Sequence, residues 1–217
     1  RSTPSQGYRA EVLAYRRPTA GEDRVPLVSF RVYDIPSAHF LPSTFGPTPL
    51  LLGPWHFWTP DSQTIVSSVY TRGWKEHTLT LTDPVTGEEH LLARDQEKTY
   101  VDTDLKYFHL LEKTRELIYS SERDGHNHLY LWDTRTGTVK NRITQGDFVV
   151  RKVHYVDAQR RLVAFSASGM QPGRDPYLRA LYVVGLDGRG LRCLTPEPAD
   201  HLISFSPDGS RFTDSMS

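Results

Sequence analysis

The 217-residue chain has one cysteine, no long apolar run, no excess of either charge and no sustained helical period. Each shortage removes a class of protein. Cys193 stands alone, which excludes an internal disulfide and a metal centre built on paired thiolates. In the pattern Leu191-Arg192-Cys193-Leu194 it reads as a strand residue, with a reactive thiol as the alternative. Lys plus Arg and Asp plus Glu both total 26, so no net field steers the chain to nucleic acid or to an anionic membrane. Apolar runs such as Pro49 to Pro54 are far too short to span a bilayer. Arg1 to Gly7 is polar and lacks the apolar core of a signal peptide, so a targeting segment is expected outside this chain.

Catalytic signatures are also missing. A hydrolase nucleophile elbow needs a G-x-S-x-G-like turn to hold its serine strained and exposed. Ser166-Ala167-Ser168-Gly169 lacks the leading glycine and reads as an ordinary strand exit. There is no Gly-rich phosphate loop and no zincin helix motif. The expectation is a segment that catalyses nothing alone, with no catalytic residue, metal or cofactor assigned to it.

What is present is repetition. With 37% hydrophobic and 11% aromatic residues the chain can build a core. Leu79-Thr80-Leu81-Thr82-Asp83 with Thr86-Gly87 is matched by Leu129-Tyr130-Leu131-Trp132-Asp133 with Thr136-Gly137, and by Leu181-Tyr182-Val183-Val184 with Asp187-Gly188. The first positions are 50 and 52 residues apart. Ser29 to Asp34 is an earlier, more divergent copy. A second element precedes the last three copies: Trp58-Thr59-Pro60-Asp61 before Ile65-Val66, Leu111-Glu112-Lys113 before Leu117-Ile118, and Val156-Asp157-Ala158 before Leu162-Val163. It begins again at Phe205-Ser206-Pro207-Asp208-Gly209, where proline and glycine chemistry makes a tight turn. The stretch Ser121 to Asp133 reads as a hairpin: Leu129 and Leu131 share one strand face, and His128, Tyr130 and Trp132 the other.

Units of 40 to 50 residues carrying several short antiparallel strands are the signature of propeller blades. The predicted fold is all-β, a partial β-propeller of about four blades, each a four-stranded antiparallel sheet; a β-sandwich is the runner-up. Residues 1–53 form an irregular extended arm and a divergent blade, interrupted by prolines that suit edge strands and loops. Blade-like repeats follow at 54–100, 101–147 and 148–200, and residues 201–217 begin another. The sequence reads as an excerpt of a longer ring.

Ser121 to Asp133 resembles the SERDGxNHLYLYD stretch in the N-terminal propeller of dipeptidyl peptidase IV-like enzymes of the prolyl oligopeptidase family. Other segments follow in the same order. Tyr15 to Gly21 is similar to that family's YRYPKAG, Thr144 to Val150 to its LTxGDWEV, Leu181 to Gly188 with Leu194 to Pro198 to its LYxVxLDG and LTPEPG. Phe205 to Gly209 with Asp214 and Ser217 resembles its SFSPDG ending. The departures are Glu22 to Val25, Phe148 and His201, which mark a divergent branch. The resemblance implies a serine exopeptidase that removes N-terminal dipeptides, often after proline or alanine. Its triad would lie in a C-terminal α/β-hydrolase domain, and its substrate-anchoring glutamates upstream of Arg1. It further implies short peptide substrates, a bacterial origin, an extracytoplasmic (periplasmic or secreted) location, and a possible homodimer held partly by an arm at Tyr8 to Tyr15. A stand-alone interaction scaffold and a propeller glycosidase with paired tunnel carboxylates are the alternatives.

Five groups of residues invite a role. Tyr100, in Tyr100-Val101-Asp102, aligns with a family loop near the substrate cavity and is the one substrate-binding candidate, against plain blade packing. His126 and His128 have metal-compatible spacing but read as structural histidines. Glu122-Arg123-Asp124 is either a functional ion-pair network or a surface salt bridge with turn capping. Glu88-Glu89 follows a turn, where solvated charges are expected. Trp55, Phe57, Trp58, Tyr70 and Trp74 are expected to fill space between blades.

Overall fold

The computed structural model describes residues 4–5, 9–10, 21–22, 24–49 and 55–217. Eighteen strands and one short 3₁₀ turn (Glu112–Thr114) make up its regular structure. β1 (Pro4–Ser5) pairs with β2 (Arg9–Ala10), and β3 (Leu27–Asp34) with β4 (His39–Pro49). Three four-stranded sheets follow. The first holds β5 (Trp55–Trp58), β6 (Ile65–Tyr70), β7 (Glu76–Thr82) and β8 (Glu89–Gln96). The second holds β9 (Phe108–Leu111), β10 (Glu116–Ser121), β11 (His128–Asp133) and β12 (Thr138–Arg142). The third holds β13 (Val149–Asp157), β14 (Leu162–Ser168), β15 (Arg179–Gly185) and β16 (Arg192–Cys193). A last hairpin pairs β17 (His201–Phe205) with β18 (Phe212–Met216).

Every sheet is an antiparallel meander whose neighbours in space are neighbours in sequence, the strand order of a propeller blade. The expectation of about four four-stranded blades resolves as three complete sheets flanked by two-stranded hairpins. The two sequence elements correspond to two turns: one joins the first strand to the second, the other the third to the fourth. The arm at Tyr8 to Tyr15, apart from Arg9 and Ala10, and the segment Tyr15 to Ala20 lie outside the described residues.

Alternation along each strand sends side chains to opposite faces, and in the inner strands of the three four-stranded sheets, β6, β10, β11, β14 and β15, both faces are buried. On β11, Tyr130 and Trp132 join Leu79, Leu92, Leu117 and Tyr119 in a cluster between the first and second sheets. Leu129 and Leu131 point the other way, into a cluster with Ile118, Phe165, Tyr182 and Val184 between the second and third. A side chain such as Phe165, with no exposed surface, contributes about 1.5–3 kcal/mol by burial. Cys193 is a half-buried free thiol on β16, packed beside the second of these clusters.

Polar clamps register the sheets at their ends. Glu116, at the start of β10, receives Lys140 at 2.5 Å and both guanidinium nitrogens of Arg161, from the neighbouring sheet, at 2.8 and 3.2 Å. Burial alone would raise its pKa, yet the Arg161 and Lys140 hydrogen bonds hold it down at about 2. At the opposite end Asn127 donates to the Val150 carbonyl at 2.8 Å. Among the described residues no helix is long and apolar enough to cross a membrane.

Candidate functional site

Within each sheet, the loops joining second to third strands and those leading into the next sheet emerge at the same end, so they share one rim. Hollows open there, two of them roomy. The larger, of 460 Å³, lies over the second and third sheets and is walled by His126, Asp147, Phe148, Arg151, Tyr177 and Arg179, among others. Arg179 is spent on Asp200, which takes its Nε at 2.8 Å, its backbone N–H at 2.9 Å and also its Nη2. These hydrogen bonds hold the Asp200 carboxyl at about 2.

The second hollow, of 360 Å³, is the more aromatic. Trp55 and Phe57 from β5, Tyr70 and Trp74 from the end of β6 and its loop, and Phe108 from β9 form its walls, with Ser68, Thr103, Asp104 and Lys106 between them. Phe57 and Phe108 meet edge to face at 5.9 Å, a favoured aromatic geometry. Tyr100 is half-exposed in the loop after β8, and its ring centroid stands 6.2 Å from that of Trp74. That loop is pinned by the Val101 N–H bond to the Trp74 carbonyl at 2.6 Å.

Charge is buried directly beneath. The Asp95 carboxylate, 1% exposed, binds Lys106 Nζ at 2.5 Å, the Ser121 hydroxyl at 2.7 Å and Arg123 at 3.3 Å. Desolvation raises its pKa, but Lys106, Ser121 and Arg123 together outweigh it and leave it below the ordinary carboxylate value. Beside it, His77 Nε2 lies 2.8 Å from Ser68 Oγ and Nδ1 2.6 Å from the Tyr119 hydroxyl. The imidazole stacks on the Tyr70 ring at 4.2 Å and meets the near-parallel Tyr119 ring through that hydroxyl. Burial, with the nearby Lys106 charge, pushes its pKa down to about 3. The Ser68–His77–Tyr119 chain has the connectivity of a nucleophile, base and orienter. A base so hard to protonate cannot draw the serine proton near neutrality, so the trio is a strut beneath the hollow.

The sequence-selected residues are placed as follows. Tyr100 adjoins the aromatic hollow through Trp74. Of Glu122, Arg123 and Asp124, the last two enter ion pairs. Arg123 reaches buried Asp95 and lies over the Trp132 ring at 4.9 Å. Asp124 accepts from the Tyr130 hydroxyl at 2.5 Å and from Arg142 at 3.2 Å, and Glu122 accepts the Asp102 N–H at 3.4 Å. His128 is committed to Thr144 and the Gly146 carbonyl, with the His126 ring centroid 6.3 Å away. Among the described residues no group of three or more potential ligands could hold a metal ion. Glu88 and Glu89 are exposed. Of the aromatics expected to fill inter-blade space, Tyr70 is buried and Phe57 meets Phe108 of the second sheet, whereas Trp55 and Trp58, on the edge strand β5, are 62% and 52% exposed. Missed altogether were Asp95, Lys106, Ser68, His77 and Tyr119. The available signal was polar and aromatic residues at strand positions where the alternation calls for core.

Sheets of this order, stacked face to face with a loop rim at one end, define part of a β-propeller. The chain belongs to the family described as the dipeptidyl peptidase IV (DPP IV) N-terminal region, whose model matches residues 2–217. It is similar in fold to the dipeptidyl peptidase 4 of Porphyromonas gingivalis, at 23% identity and a TM-score of 0.76, over 98% of this chain and 29% of that one. A protein of Bacteroides ovatus assigned as a dipeptidyl aminopeptidase IV matches at 22% identity and 0.71, over 96% and 32%. The chain thus spans under a third of either structure.

Proposed function

We propose that this chain is a non-catalytic propeller segment of a dipeptidyl peptidase IV-like serine exopeptidase, and that its loop rim shapes and gates the cavity where N-terminal dipeptides are removed. The family match across residues 2–217 carries this reading. Catalysis belongs to a C-terminal α/β-hydrolase domain of the same polypeptide, working in an extracytoplasmic compartment on short peptides. The aromatic hollow fits the role. Trp55, Phe57, Tyr70 and Trp74 offer an apolar wall for a prolyl or aliphatic side chain, and Tyr100 lies at its margin where a peptide backbone would pass.

Kinetics on the full-length enzyme tests this. With Tyr100→Ala, KM for a tetrapeptide rises roughly five- to tenfold, the worth of one aromatic contact, while kcat and the KM for a dipeptide amide stay unchanged. Tyr100→Phe retains wild-type values. An unchanged tetrapeptide KM in Tyr100→Ala removes Tyr100 from the substrate path. The 217-residue chain by itself releases no dipeptide from a Gly-Pro amide, and turnover by a pure preparation overturns the non-catalytic assignment.

A further inference from the structure

The aromatic hollow carries a charge that its apolar walls do not explain. Its lining comes from β5, β6 and β9 and from the β6–β7 and β8–β9 loops, and among the described residues only two charged side chains face it, Asp104 and Lys106. Lys106 is already committed. Its side chain is 6% exposed, and its Nζ donates to Asp95 at 2.5 Å and to the Ser120 carbonyl at 3.1 Å, over the ring of Tyr119. Arg123 likewise turns to Asp95 and lies over the Tyr130 and Trp132 rings. The cations beneath the hollow are thus spent on a buried carboxylate and on other rings.

Asp104 is different. Its backbone N–H bonds Asp102 Oδ1 at 2.8 Å, which shapes the loop. Its own carboxylate is exposed in the wall of the hollow and meets no cation among the described residues. Neighbouring groups register the negative field there. Burial and then the charge of Asp102 push the pKa of the Tyr70 phenol up, and burial followed by Asp95 and Glu122 does the same to Glu97 in the adjoining loop.

We propose that the hollow selects a lysine or arginine side chain of the peptide, its aliphatic stem lying along Trp55, Phe57, Trp74 and Phe108 and its charged head meeting the Asp104 carboxylate. This rests on the peptidase reading above and names the residue class which that site prefers. Three properties of the hollow converge on a long cationic side chain. Aromatic rings attract a cation through their electron-rich faces. A long stem covers apolar surface while the charged head stays at the wet margin. A carboxylate without a partner supplies the counter-charge. A purely aliphatic side chain would use the same walls but strip water from Asp104 with nothing in return. An acidic one would be repelled, because Asp95 has already neutralised Lys106.

Kinetics on the full-length enzyme tests this with tetrapeptides that carry proline second. Lysine is compared with norleucine, its unbranched neutral counterpart, at positions one, three and four in turn. At one of these positions kcat/KM favours lysine roughly five- to tenfold, the worth of one exposed ion pair with an aromatic contact. In Asp104→Asn that preference shrinks to below about twofold, and Asp104→Glu keeps it. Each comparison is a ratio within one variant, so a smaller folded fraction cancels. Equal rates for lysine and norleucine at all three positions overturn the charge assignment and leave the peptidase reading standing. A lysine preference that survives Asp104→Asn also overturns it, since another group would then hold the cation. An enzyme that cleaves none of the peptides overturns the peptidase reading and this inference with it.

Discussion

The joint between the first and second sheets and the joint between the second and third share one architecture but not one chemistry. The second joint is dry along its middle, with Leu129, Leu131, Phe165 and Val184 packed in one cluster. Its polar clamps, Glu116–Arg161 and Asn127 to Val150, stand at the ends. The first joint buries Asp95 and Lys106 as an ion pair, together with an imidazole that has no exposed surface. Buried ion pairs seldom stabilise more than apolar residues of equal volume. The first joint therefore gives up stability for a rigid polar floor, and that floor lies under the aromatic hollow.

The largest effect is expected where packing is driest. Phe165→Ala should cost about 4 kcal/mol, measured by urea denaturation; a loss near 1 kcal/mol would show that the second joint repacks and erase the contrast. Next comes Asp95→Asn, which leaves the Lys106 ammonium buried without its counter-charge and should cost about 3 kcal/mol. The double variant Asp95→Leu with Lys106→Met should recover most of that loss. If it is worse than the single variant, the ion pair is itself a net stabiliser and the trade inferred above is wrong.

The pH dependence sharpens the comparison further. His77 has a folded pKa depressed to about 3 from an ordinary 6.5, so the unfolded chain binds the extra proton first. Its contribution is fully present above about pH 6.5 and is lost as pH falls towards 3. In His77→Gln the slope of stability against pH in that window should fall by up to about 1.4 kcal/mol per unit, read from denaturation curves at several pH values. The same comparison for His154→Gln, at the third sheet and held down to about 4, should show a shorter window. Equal slopes for wild type and His77→Gln would mean that the imidazole is not the titrating group.

The repeat of turns and apolar pairs made the sheets legible before any coordinate. Asp-x-x-x-Gly after Leu-x-Leu marks the third-to-fourth turn because aspartate caps the backbone N–H groups that the turn frees. Strand alternation likewise separated Leu129 and Leu131 from Tyr130 and Trp132. The site beneath the rim was not legible, because its members come from different sheets: His77 meets Tyr119 across 42 residues, and Asp95 meets Ser121 across 26. Nothing local distinguishes such a buried aspartate from a solvated one. Trp55 and Trp58 misled for a related reason, since strand order within a sheet, which leaves them at an edge, is set by topology and not by composition.

The strictly sequential strand order bears on how the molecule is made. A polypeptide leaving the ribosome can complete β5 to β8 before β9 exists, because none of these four strands waits for a distant partner. Each finished meander then offers its apolar side as the surface on which the following one condenses, and synthesis and folding proceed in the same direction at the pace of translation.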